Sequence, residues 1–204
     1  MLIVGLTGSI GMGKSTAAAC FRDRGIAVFD ADAEVHRLYE GAAVASIEAA
    51  FPGTTAEGRV ERAKLADALA GDPQGFARLE RIVHPLVQAA ERAFVRSEAR
   101  RGASMAVLDI PLLCETGGDE KVDVVVVASA SAATQTSRVM FRPGMTAQRL
   151  ESLLARQISD AEKRRRADFV VDTEGSIAET RAQIDAIITV LRSREGQAFE
   201  RDWA

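Results

Sequence analysis

The sequence predicts an α/β fold, a three-layer sandwich with helices on both faces of a central five-stranded parallel sheet. Three observations predict it. Short apolar runs alternate with longer helical stretches along all 204 residues. The runs at Met105–Asp109 and Val122–Ala128 are hydrophobic on both faces, as strands covered on two sides must be. Three runs end in residues suited to phosphate or carboxylate chemistry, which sets that chemistry along one sheet edge, outside the carboxyl ends of the strands.

The elements follow in order. Leu2–Thr7 reads as a short buried strand, and Thr16–Arg22 as the opening of a helix ended by Gly25. Ile26–Phe29 is a second strand, closed by Asp30-Ala31-Asp32. A helical region follows over 33–101, divided by Gly41, Pro52-Gly53, Gly58 and Asp72-Pro73. It is too long for a simple crossover and reads as a helical insert. Asp72-Pro73 has the form of an N-cap with proline at the first helical position. From there Phe76, Leu79, Ile82, Val83, Leu86, Val87, Ala90 and Phe94 recur at helical spacing, and Pro85 is expected to kink or break that helix. Met105–Asp109 and Val122–Ala128 are the third and fourth strands. Ser131–Phe141 and Thr146–Arg166 read as helices around an Arg142-Pro143-Gly144 turn. Phe169–Asp172 is the last strand, and Ser176 with Glu179 forms a capping box for a closing helix to about Arg194. The tail to Ala204 is expected to be peripheral.

Bulk properties exclude several classes. A formal net charge of −3 argues against a general nucleic-acid binder. Cys20 and Cys114 are the only cysteines, too few for a disulfide framework or metal cluster, and both are expected to be packing residues. No apolar run approaches the roughly 20 residues that span a bilayer, and the expectation is a cytoplasmic protein without membrane or nucleic-acid partners, a monomer or small homo-oligomer.

The chemistry begins at Gly8-Ser9-Ile10-Gly11-Met12-Gly13-Lys14-Ser15, which fits G-x-x-x-x-G-K-[ST] between a strand and a helix. Gly8, Gly11 and Gly13 let the backbone curl, so that successive N–H groups, those around Met12 and Thr16 included, converge on a phosphate at the helix N-terminus. Lys14 suits the β- and γ-phosphates and Ser15 suits Mg²⁺, which makes ATP and Mg²⁺ the expected cofactors. An acceptor hydroxyl needs a base, and a carboxylate after the second strand is suitably placed. In an extended chain Asp30 and Asp32 point the same way, so spacing leaves the choice open, with Asp32 the candidate base and helix capping the structural alternative.

The ordered set of motifs resembles the dephospho-CoA kinase family along nearly the whole chain. Thr7–Thr16 matches its P-loop, Asp30-Ala31-Asp32 its Asp-Ala-Asp motif, and His84-Pro85 and Asp109-Ile110-Pro111-Leu112-Leu113-Cys114-Glu115 its helical-domain and third-strand signatures. Gln135, Arg138 and Arg142 follow its Gln-x-x-Arg-x-x-x-Arg spacing, and Arg156-Gln157 its later Arg-Gln pair. The resemblance implies a P-loop kinase fold spanning 1–204, with a helical substrate-binding insert at 33–101 and a small lid at 138–166. It implies transfer of the ATP γ-phosphoryl group to the ribose 3′-hydroxyl of dephospho-CoA, with Asp32 as base, Lys14 and Ser15 on phosphate and Mg²⁺, Arg138 and Arg142 toward ATP, and His84 and Asp109 toward dephospho-CoA. His84 also has a structural reading, a polar cap at a proline kink. Asp109 has a second reading, a carboxylate of the Mg²⁺ shell, and both stay open. The chain departs from the family at Asp172-Thr173-Glu174-Gly175, where the family often carries Asn near the adenine; this sequence contains no asparagine, which puts adenine contact at Thr173 in doubt.

Two other enzyme or switch classes compete. A guanine-nucleotide switch would use the D-x-x-G at Asp172–Gly175, but N-K-x-D is missing. Another small-molecule kinase of the same architecture differs only in its acceptor. A nucleic-acid surface at Lys163-Arg164-Arg165-Arg166 lacks interleaved aromatics, and that run reads as a solvated helix face or a nucleotide-facing one.

Overall fold

Every side chain of strand β1 (Leu2–Thr7) is buried, because the strand lies at the centre of a five-stranded parallel sheet flanked by helices. The computed structural model describes residues 1–204. After β1 the chain forms α1 (Lys14–Asp23), β2 (Ala27–Asp30), α2 (Ala31–Leu38) and α3 (Val44–Ala50). A two-stranded hairpin, β3 (Thr55–Ala56) and β4 (Arg59–Val60), leads to α4 (Arg62–Ala70) and the long α5 (Gly75–Arg100). Then come β5 (Met105–Asp109), β6 (Val124–Ser129), α6 (Ala132–Met140), α7 (Ala147–Leu154), α8 (Asp160–Arg166), β7 (Phe169–Asp172) and α9 (Ile177–Leu191).

The strand order is β2-β5-β1-β6-β7. Register places Leu6 of β1 beside Asp109 of β5 and Thr7 beside Val127 of β6, so the ends of β1, β5 and β6 reach one edge together. One face of this sheet packs on α1 and α9 through Leu6, Val107, Val126, Phe21, Ile184 and Leu191, each at most 1% exposed. Met1–Phe29 and Val95–Ala204 form this compact unit, and Asp30–Phe94 form a second, helical one. The helical unit has its own core of Leu38, Ile47, Phe51, Leu65, Leu79 and Val83. In it Arg78 stacks 4.7 Å from the Phe51 ring centre while pairing with Asp72 at 2.6 Å.

Four expectations are corrected. Helix α5 neither ends nor breaks at Pro85 but runs on to Arg100. The lost hydrogen bond is outweighed by the apolar face on either side of it, where Leu79 and Val83 are buried and Ile82, Leu86 and Val87 pack against the same core. Asp72-Pro73 is not the cap of α5, which starts two residues later; Asp72 instead folds an Asx turn, accepting from the Gln74 N–H at 2.9 Å. The stretch 146–166 is two helices, because Ser159 starts a new one by accepting from the Glu162 N–H. The tail is not peripheral. Ala198 and Trp203 are buried, and the Asp123 carboxylate gathers the N–H groups of Ile3, Gln197 and Ala198 at 2.6–2.8 Å. The Trp203 indole N–H donates to the Lys121 carbonyl.

Pro85→Ala restores a donor in the middle of α5, at an exposed position, and is expected to raise the stability of the helical unit by about 1–2 kcal/mol. Thermal unfolding checks this; a lowered midpoint would show that the helix depends on the proline.

Candidate active site

The loop between β1 and α1 owes its shape to two residues in the left-handed region, Gly11 (φ 80°) and Gly13 (φ 77°). A side chain fits neither. A Cβ at Gly13 would lie 2.8 Å from the Thr173 Cβ and Oγ1, and one at Gly11 would lie 2.6 Å from Val139 Cγ2. Inside the loop the Met12 N–H turns back to the Ser9 carbonyl and the Thr16 N–H to that of Gly13. The N–H groups of Gly11, Gly13, Lys14 and Ser15 are not taken up by the chain. They are the orphan donors of a helix start and of the turn before it, with the positive end of the α1 dipole behind them. That is an anion cradle, and the residues present fit the phosphates of a nucleotide.

Lys14 completes it. Its Nζ sits 2.6 Å from Asp109 Oδ1, and Asp109 is only 2% exposed at the end of β5. Lys14, which opens α1, and Asp109, which ends β5, therefore meet as one ion pair. Ser15, in the first turn of α1, is exposed. No group of three or more His, Cys, Asp or Glu side chains is arranged to hold a metal ion.

The outer wall of the loop is held by side chains from α6, the 155–159 segment and the turn after β7. The Thr173 hydroxyl bonds to the carbonyls of Met12 (3.0 Å) and Ser129 (3.2 Å), and Thr173 is 3% exposed. Its hydroxyl is committed beneath the loop and is unavailable to a base. Arg138 donates to the Thr173 carbonyl at 2.5 Å, to its Oγ1 at 3.2 Å and to the Gly11 carbonyl at 3.5 Å. Gln135 Nε2 donates to the Ile10 carbonyl (2.8 Å) and the Ile10 N–H donates to Gln157 Oε1 (3.2 Å). Glu174 ties the same turn to the start of α6. The Thr134 hydroxyl, then the N–H and hydroxyl of Ser131, hold its carboxyl below the usual carboxylate range. Met12 is buried, its sulfur accepting from the Ala130 N–H.

The remaining sequence-derived residues are placed as follows. Asp30 is the N-cap of α2, accepting from the Ala33 N–H at 2.9 Å. Asp32 lies in the first turn of that helix, exposed, so the two carboxylates do not alternate along an extended chain. His84 is exposed within α5 and caps nothing. Both belong to the helical unit. Arg142 is exposed in the turn after α6. Cys114 is 5% exposed, and burial pushes its thiol up, as it does at Cys20.

The chain matches the family model described as dephospho-CoA kinase over residues 2–179. It belongs to the dephospho-CoA kinase family. A dephospho-CoA kinase of Brucella melitensis is 54% identical over 198 residues, 97% of this chain and 99% of that protein. One of Mesorhizobium japonicum is 53% identical over 196 residues, 96% of this chain and all of that protein. Among solved structures, a Thermus thermophilus protein superposes with a TM-score of 0.79 at 33% identity, covering 93% of this chain and 97% of that one. The dephospho-CoA kinase of Campylobacter jejuni gives 0.65 at 22%, covering 93% and 96%, a likeness of fold alone. The guanine-nucleotide switch is thereby set aside: the chain is a kinase, and its D-x-x-G stretch is the turn that braces the phosphate loop.

Lys163 differs from its sequence-derived placement. The run Lys163–Arg166 read as a solvated or nucleotide-facing helix face, and Arg164, Arg165 and Arg166 are exposed, but Lys163 is completely buried on Glu115 and the Pro111 carbonyl. One signal was available: lysine is rare in this arginine-rich chain. A lone lysine among arginines suits a tight site that accepts a compact charge.

Gly13→Ala places a Cβ against Thr173 in a left-handed conformation. It is expected to weaken ATP binding at least about tenfold and to cost roughly 1–3 kcal/mol of stability. Calorimetric ATP titration and thermal unfolding check the pair of effects.

Proposed function

We propose that this kinase transfers the γ-phosphoryl group of ATP to the ribose 3′-hydroxyl of dephospho-CoA, giving CoA and ADP. The observation that carries the reading is the family match across residues 2–179, the stretch that contains the phosphate cradle and its supports. A cytoplasmic setting, where ATP and this acceptor are met, goes with it, and no helix is long and apolar enough to cross a membrane.

In this reading the four free N–H groups and Lys14 receive the β- and γ-phosphates. Asp109 holds the Lys14 ammonium in place through the 2.6 Å ion pair before nucleotide arrives. Ser15 would hold a Mg²⁺ ion bound with ATP, which when present neutralises developing phosphate charge. Asp32 takes the proton from the acceptor hydroxyl. Of the two carboxylates after β2 it is the one not spent on capping, since Asp30 already serves the Ala33 N–H. The helical insert, including His84, binds dephospho-CoA, and 138–166 acts as a lid that carries Arg142 to the transferring group. Charge neutralisation by a lid cation in a closed site supplies stabilisation that water would screen. Arg138 acts from beneath, by fixing the Gly11 and Thr173 carbonyls.

A panel of acceptors with ATP and Mg²⁺ tests the assignment. Dephospho-CoA is expected to release ADP well above background, while nucleosides and shikimate do not; background release with dephospho-CoA would refute it. Asp32→Asn is expected to lower kcat by about 10²- to 10⁴-fold with ATP affinity retained. Parent-like turnover by this variant would remove Asp32 from the role of base.

A further inference from the structure

Lys163 is the one completely buried cation of the chain, and nothing in the phosphoryl-transfer scheme uses it. Its Nζ lies 2.9 and 3.0 Å from the two oxygens of Glu115 and 3.1 Å from the Pro111 carbonyl. Each of these partners has a second bond that leads to the phosphate site. The Pro111 carbonyl also accepts the hydroxyl of Thr7, the last residue of β1 before Gly8, at 3.0 Å. Pro111 itself follows Asp109, the partner of Lys14, by two residues. Glu115 Oε1 also accepts the N–H of Ile158 at 3.0 Å, which fixes the chain between α7 and α8. The neighbouring residue there is Gln157, whose Oε1 receives the Ile10 N–H at the apex of the loop.

We propose that Glu115, Lys163 and Gln157 are positioning residues for ATP: the buried ion pair sets the 155–159 segment, and Gln157 sets the Ile10 peptide of the phosphate loop. The physical case rests on what a buried pair is suited to. Removing two charges from water costs about as much as their attraction returns, so the pair is a weak source of stability and a strong source of geometry. A compact ammonium with three donors can serve Glu115 and the Pro111 carbonyl at once, which an apolar side chain of equal size cannot. The Ile10 peptide is gripped from both sides by side-chain amides, the carbonyl by Gln135 and the N–H by Gln157. Of those two grips, Gln135 stands within α6, whereas Gln157 stands on an irregular segment that Glu115 must hold.

Two variants of the full-length enzyme test this. Gln157→Leu removes the acceptor for the Ile10 N–H and leaves the ion pair intact. Glu115→Leu/Lys163→Met removes both buried charges together, so that neither is stranded. ATP KM, dephospho-CoA KM and kcat are measured alongside ATP affinity by calorimetry and thermal unfolding. Both variants are expected to raise ATP KM and the ATP dissociation constant by about 10- to 100-fold, with dephospho-CoA KM unchanged. A role confined to stability reduces the active fraction, lowering kcat at constant ATP KM; that pattern, or parent-like kinetics in Gln157→Leu, overturns the proposal. If the double variant does not fold, Glu115→Gln takes its place, since it removes the charge on that side chain but keeps an acceptor for the Ile158 N–H; parent-like ATP KM in the ion-pair variant that folds overturns the role given to Glu115 and Lys163. The inference rests on the phosphate-loop reading and not on the acceptor, so calorimetry reports it even from an enzyme inactive on dephospho-CoA, and the two failures are distinguishable.

Discussion

A phosphate cradle must leave its own N–H groups unpaired, and the rest of this structure depends on that constraint. A helix or strand stabilises its backbone by satisfying those groups internally. The loop from Gly8 to Ser15 does not, because the donors at Gly11, Gly13, Lys14 and Ser15 have no acceptor within the chain. Its shape therefore has to be imposed from outside, through its carbonyls and through contacts at its glycines. Thr173 does both at one point, lying against Gly13 and bonding to the Met12 carbonyl. Arg138 and Gln135 take the carbonyls of Gly11 and Ile10. The cost of ordering such a loop is met before the nucleotide arrives, which leaves more of the binding interaction for the ligand.

The parallel sheet is what brings these braces within reach. With β1 central, its neighbours β5 and β6 end at the same edge; the helix after β6 bonds to the loop, and the segment after β5 bonds to Thr7 just before it. Beyond β6 lies α6 with Gln135 and Arg138; beyond β7 lies the Thr173 turn; beyond β5 lie Pro111 and Glu115. Segments far apart in sequence therefore converge, as in the 147 positions between Ile10 and Gln157. The opposite ends of β1 and β6 are held by a different device, the Asp123 carboxylate shared among the N–H groups of Ile3, Gln197 and Ala198. Fixing both ends of β1 limits how far its loop can shift along the sheet.

Much of this was legible in the sequence. The strand runs, the loop motif and the capping box at Ser176 are local patterns, and local patterns predict local structure. The failures were of two kinds. At Pro85 a local rule lost to packing, because the apolar face of α5 extends across the proline. At Ser159 a start signal was hidden within a polar stretch that resembled continuing helix. The site shows the same division. Lys14 and Asp109 were recognisable as residues of interest, but that they form a 2.6 Å pair is a fact of sheet register. Lys163 was misplaced because charge in sequence says nothing of burial; the doubt raised over adenine contact at Thr173 agrees with a hydroxyl bonded to the Met12 and Ser129 carbonyls.

The two buried ammonium–carboxylate pairs illustrate how the same chemistry is given different work by exposure. Lys14 retains 13% exposure of its side chain, so a charge arriving from outside could compete with Asp109 for its ammonium. Lys163 retains none, and every partner it has is protein. A pair open on one side responds to a ligand's charge; a closed pair cannot, and holds a distance instead. Asp109 and Pro111 sit two residues apart, so the responsive pair is mounted on the fixed one through a single short segment of chain. A change at the open pair would therefore be felt next to a segment that the closed pair holds in place.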